Sequence, residues 1–199
     1  YTIDPDGVGP APILPVECNM TAPPGGGWTV IEKSPLSMPI GSALFNDKPI
    51  NMGQPLSAPF RLPKAIMIAI QSDSTELRID CQGPDYLLTD AGSLFIGDKP
   101  FGMCKDATKV VYKEAKLAMA PMVFNQAMCT QLRGSSEGPC QGSFGILESD
   151  QSQCALNPYP FGGQQVLSIG AYAFAMDSQV KDMKHDCHKA GAVRYVMLR

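Results

Sequence analysis

Histidine is the side chain most often recruited for metal binding and acid–base work. The chain has two, both in Lys184-His185-Asp186-Cys187-His188. His185, Cys187 and His188 offer two imidazoles and a thiol within four positions. That set fits either a metal site or a Cys–His nucleophile pair. A zinc site draws its ligands from two separated clusters, and no second histidine cluster exists. The expectation is therefore a disulfide cysteine in a polar loop, flanked by exposed histidines, with no metal or cofactor. His185 and His188 remain the only metal-ligand candidates.

Other catalytic constellations are missing. Gly134-Ser135-Ser136 lacks the framing of a nucleophile elbow. Asp85, Asp90, Asp98 and Asp106 are scattered over expected loops, where acids are solvated surface. Gly25-Gly26-Gly27 precedes a strand pattern, whereas a phosphate-binding turn opens a helix. The expectation is a protein that is not an enzyme. Lys and Arg number 16 against 19 Asp and Glu, a net charge of −3 without a basic run, which argues against nucleic acid.

Cysteine usage points to compartment. Cys18, Cys81, Cys104, Cys129, Cys140, Cys154 and Cys187 are dispersed and form no CxxC pair. Dispersed cysteines in a chain with 18 Pro and 19 Gly predict disulfides made in an oxidising compartment. The odd count leaves one thiol over. Cys104 and Cys140 flank the middle of the chain and are the preferred pair among many possibilities. Asn19-Met20-Thr21 is an N-x-T glycosylation acceptor, which suits a secreted surface turn in a eukaryotic product. Tyr159 and Phe161, in a Pro-stiffened loop, are candidate ligand-stacking rings or lids over the core. The eleven Met are read first as core filling.

These residues need a frame. At 199 residues and 44% hydrophobic content, one domain with a sizeable core is expected over residues 1–199. The Pro and Gly content predicts a mainly β, loop-rich α+β fold with short helices. Residues 18–31 read as strand, turn, strand, with Trp28 anchoring a core and Gly25 to Gly27 permitting an unusual turn. Residues 35–63 read as irregular connection with one short strand.

The apolar run Ala65 to Ile70 predicts a strand buried on both faces, paired in a hairpin with the alternating Glu76 to Cys81. Short strands are expected at Tyr86 to Thr89 and Ser93 to Ile96. Lys113 to Met119 has helix-forming composition after a short strand at Val110 to Tyr112. Gln126 to Leu132 suggests a helical turn. Strands are expected at Ser143 to Leu147, Val166 to Met176 and Ala192 to Leu198. The chain opens at Tyr1 without the basic and apolar segments of a leader, so it reads as mature or trimmed. No apolar run reaches the roughly 20 residues of a membrane helix.

Tyr1-Thr2-Ile3-Asp4-Pro5-Asp6-Gly7, Val16-x-Cys18-Asn19-Met20-Thr21 and Gly25-Gly26-Gly27-Trp28-Thr29-Val30 together resemble the opening of fibrinogen-like domains, over about residues 1–34. The resemblance implies an extracellular recognition module. It also implies that Cys18, whose family counterpart pairs just upstream of the Tyr1-like strand, is the odd cysteine, bonded outside this chain. The family's Asp-rich calcium loop and paired Trp are absent downstream, so its calcium and ligand pocket are not expected.

A looser resemblance, through Ile66 to Ile70, Arg78-Ile79-Asp80, Cys140 to Ile146 and Val193 to Val196, is to the GON-type domain of secreted metalloproteases, a non-catalytic appendage. The expectation is a secreted, lectin-like binding module for glycans or extracellular matrix proteins, with a fibrinogen-like opening (1–34) and a β-rich body (35–199). The alternative is a structural subunit of an extracellular assembly, a homo-oligomer or filament joined by disulfides or strand contacts.

Overall fold

A computed structural model describes residues 1–40, 44, 46–95, 108–117, 120–132, 144–147, 174, 176 and 185–199. The architecture is mainly β. One large antiparallel sheet carries β3 (Cys18–Asn19), β4 (Trp28–Pro35), β5 (Phe60–Arg61), β6 (Glu76–Asp80), β7 (Tyr86–Asp90), β8 (Thr108–Leu117), β9 (Ala120–Leu132), β10 (Phe144–Leu147) and β11 (Val193–Leu198). Its order is β10-β9-β8-β7-β6-β11-β4-β3, with β5 also beside β4. A separate ribbon of β1 (Thr2–Ile3) and β2 (Leu14–Pro15) packs Ile3 and Leu14 onto the main core.

A single α-helix among the described residues, α1 (Lys64–Ser72), covers one sheet face. Ile66, Met67 and Ile70 are buried at helical spacing and join Leu77, Ile79, Leu87, Val196 and Leu198. This corrects the expected strand at Ala65 to Ile70. A short apolar run carries no period of its own, so its helix and strand readings are degenerate. Ile68, exposed on the outer side, is the residue that breaks the two-sided burial a central strand would need. The helix start is capped from a distance, since the Lys64 amide donates to the Asp47 carboxylate at 3.0 Å. Ser74 closes the other end by donating its hydroxyl to the Ile70 carbonyl at 2.7 Å.

Three further expectations are corrected. Lys113 to Leu117 continues β8, and Gln126 to Leu132 lies in β9. Pairing along both long strands overrides local helix propensity. Ser93 to Ile96 does not begin as a strand: Ala91–Ser93 form a 3-10 turn, and Leu94 and Phe95 continue as turn. The alternation at Glu76 to Cys81 holds. Leu77, Ile79 and Cys81 face the core, while Arg78 and Asp80 pair at 2.7 Å on the other face. The long strand expected at Val166 to Met176 lies outside the described residues, apart from Phe174 and Met176.

The core contains an ion cluster. Along β11, Val196 lies opposite Glu32 and Met197 opposite Val30, so Ile31 is the extra residue of a β-bulge. The bulge puts Ile31 among the core residues and Glu32 on the same face, opposite the core residue Val196. There Glu32 accepts from Arg61 on β5 (Nε, 2.7 Å) and from Arg194 on β11 (Nη2, 2.6 Å), all three fully or almost fully buried. Arg194 also donates to the Phe174 carbonyl at 3.1 Å.

Burial pushes the Glu32 carboxyl up, but the guanidiniums of Arg61 and then Arg194 outweigh it and hold the group below its ordinary 4.5. A folded-state value below the unfolded one gives stability that is complete above about pH 4.5 and is lost as the pH falls through the folded value. Glu32→Gln leaves both guanidiniums buried without the carboxylate between them. It is expected to cost about 3–5 kcal/mol at neutral pH. Its urea midpoint should also depend less on pH than the wild type's below about pH 5. Parallel acid titrations would refute this assignment of acid sensitivity.

Candidate functional site

The histidine segment folds onto the loop after β6. Cys81 and Cys187 form a disulfide across a sequence separation of 106. Asp186–His188 make a 3-10 turn beside it. The Asp85 amide donates to the Asp186 carboxylate at 2.8 Å, and the Asp186 amide donates to the Asp85 carboxylate at 2.9 Å. Two carboxylates thus clasp each other's backbones. The same Asp85 oxygen lies 3.1 Å from His185 Nδ1. Gly83 completes the fit, because a Cβ there would overlap the Asp186 carboxylate. Lys189 closes the outer side at 2.5 Å from Asp186, and that hydrogen bond, with the charge attraction behind it, raises the ammonium's pKa.

The histidines are not exposed, which corrects that expectation. His185 is 2% and His188 4% accessible, with their rings edge-to-face at 5.8 Å. Burial is affordable because a carboxylate meets one imidazole and the disulfide fixes the turn between them. An Asp-held imidazole is also half of a general-base arrangement, and here the ring is buried. Among the described residues no group of three or more His, Cys, Asp or Glu is arranged to hold a metal ion.

The glycine–Trp stretch forms a second corner, on the opposite sheet face. Cys18 pairs with Thr29 and Asn19 with Trp28, so β3 and β4 are the arms of a hairpin. Gly25, Gly26 and Gly27 all take left-handed backbone angles, with φ of +76°, +68° and +76°. A Cβ on Gly26 would overlap the Met20 carbonyl. The turn folds Ala22 over Trp28, whose indole N–H donates to the Ala22 carbonyl at 3.0 Å. Arg199 stacks on the indole with its guanidinium 4.5 Å from the ring centroid. It also donates to the Pro24 and Gly26 carbonyls and pairs with Glu76. Trp28, Val30, Leu88, Met197 and Ala22 make the small core on this side.

Cys18 carries a free, half-buried thiol on β3, next to Asn19. Cys104, Cys140, Cys154, Tyr159, Phe161 and the side chain of Cys129 lie outside the described residues, and with them the expected Cys104–Cys140 pair. Asp85 was visible in the sequence only as one of several loop acids. Its clasp with Asp186 spans 101 positions and leaves no local signal.

No family model, curated protein or solved structure matches this chain. No helix among the described residues is long and apolar enough to cross a membrane.

Two substitution tests follow from these corners. Replacing Cys81 and Cys187 together by Ser should cost about 2–5 kcal/mol, read as a lower urea midpoint. An unchanged midpoint would mean that the clasp holds the corner without the crosslink. Gly26→Ala should cost more than the roughly 1–2 kcal/mol of a left-handed residue. Gly7→Ala, at φ +62° with open space around it, should cost only that backbone part. Equal losses at the two glycines would show that the Met20 contact is not limiting.

Proposed function

We propose that the chain is a secreted, non-catalytic binding module that recognises glycans or extracellular matrix partners. The observation carrying this reading is the corner at Cys81–Cys187. Its disulfide suits an oxidising compartment, and it holds both histidines and two nearby carboxylates in buried structural contacts. Recognition then falls to surface. Tyr1, Val8, Ile13 and Met20 are exposed apolar side chains within the first twenty residues, a composition suited to contact.

The resemblance to fibrinogen-like domains belongs to this proposal. Its motif residues form the β3–β4 hairpin, the glycine turn and the Trp28 anchor. The looser resemblance to the GON-type domain supports the same class of role, a non-catalytic appendage.

A glycan array probed with and without chelator tests the reading. Chelator-insensitive binding to a defined set of glycans is expected, and silence on every glycan would remove the lectin-like form of the proposal. A second reading, a structural subunit of an extracellular assembly, is favoured by the free thiol of Cys18 on the outer strand β3. It requires disulfide-linked species on non-reducing electrophoresis, and a strict monomer by light scattering would dismiss it.

A further inference from the structure

We propose that Asn19 is an N-glycosylation site, with its carboxamide nitrogen as the attachment atom; this rests on the secreted reading above. Asn19-Met20-Thr21 is the sole N-x-S/T acceptor in the sequence. The folded chain presents it in a particular way. Asn19 Oδ1 accepts three hydrogen bonds: from the Thr21 amide at 3.0 Å, the Thr21 hydroxyl at 3.2 Å and the Ala22 amide at 2.9 Å. All the turn's demands therefore fall on the oxygen. Among the described residues Nδ2 donates no hydrogen bond, so substituting it breaks nothing.

The surroundings leave room. Met20 and Thr21 are exposed, and among the described residues β3 is the outermost strand at its end of the sheet, paired only with β4. Asn19 itself is half-buried on this edge strand, and a bulky solvated group on it has the exposed Met20 and Thr21 side to extend along. The three bonds span two or three positions, so this turn forms locally and does not wait for the sheet. An acceptor segment of a nascent chain can adopt it before the fold closes.

The transfer balances with a lipid-diphosphate-linked oligosaccharide as donor. A bond forms between Nδ2 and the sugar's anomeric carbon as that carbon's bond to the phosphate oxygen breaks. The lipid diphosphate leaves with the electron pair, and one Nδ2 proton passes to a base of the transferring enzyme. Hydrogen bonds to Oδ1 draw electron density from the carboxamide and make that proton easier to remove.

The test translates the full chain behind a secretory leader in the presence of microsomes and scores protease-protected chains alone. The wild type should gain the mass of one glycan, and amidase removal should leave aspartate at position 19. Asn19→Asp keeps the acceptor oxygen of the turn and removes the nitrogen. Thr21→Val keeps the Thr21 amide and removes the hydroxyl. Both variants should lose the glycan completely. An unmodified wild type, or a glycan retained in Asn19→Asp, would overturn the site. A glycosylated chain silent on the array leaves this site standing and removes the lectin-like form of the recognition reading. An unmodified chain that binds glycans does the reverse.

Discussion

Two guanidiniums share one carboxylate in the middle of the core, and the sheet's register depends on that arrangement. Glu32, Arg61 and Arg194 come from β4, β5 and β11, so one group of charges joins three strands. Buried ions add little net stability against an apolar core of equal volume, but a misplaced one is costly. A one-residue slip of β11 would turn Arg194 to the opposite face and leave Glu32 with Arg61. The bulge at Ile31 belongs to the same constraint, since it lets an apolar residue and an acid occupy the core face in succession. Specificity of pairing, more than strength, is what such a cluster supplies.

The two faces of the sheet are closed in different ways. Helix α1 and the β1–β2 ribbon cover the larger core with aliphatic side chains. On the other face, among the described residues, the glycine turn covers the smaller core through Ala22 and the stacked Arg199. The Cys81–Cys187 corner then ties the exit of β6 to the approach to β11, which are neighbours in the sheet. Both unusual sequence stretches, the triple glycine and the histidine pair, thus have a packing explanation.

Much of the β framework was legible because its signals are local. Leu77, Ile79 and Cys81 alternate with Arg78 and Asp80, and Trp28 with its glycines announces a hairpin. The failures have the opposite origin. Ala65 to Ile70 is too uniformly apolar to declare a period, so helix and strand look alike until a packing partner is known. Lys113 to Leu117 has helical composition, and only its cross-strand pairing with β7 and β9 makes it a strand. The sequence makes the histidine corner look solvated because its carboxylate partner, Asp85, lies a hundred positions away. Charge burial depends on such distant partners, and no sequence window contains them.

The place of β11 has a consequence for biosynthesis. Residues 193–198 lie between β4, made of residues 28–35, and β6, made of residues 76–80. A ribosome delivers the two outer strands of this trio long before the one that separates them. Until β11 emerges, β4 and β6 each present an open edge along the line they will later share, and Glu32 waits for its second guanidinium. Unpaired edges of this kind invite pairing with other chains. The nascent protein therefore depends on whatever shields those edges during the interval, and the sheet can zip shut only after nearly the whole described sequence has been made.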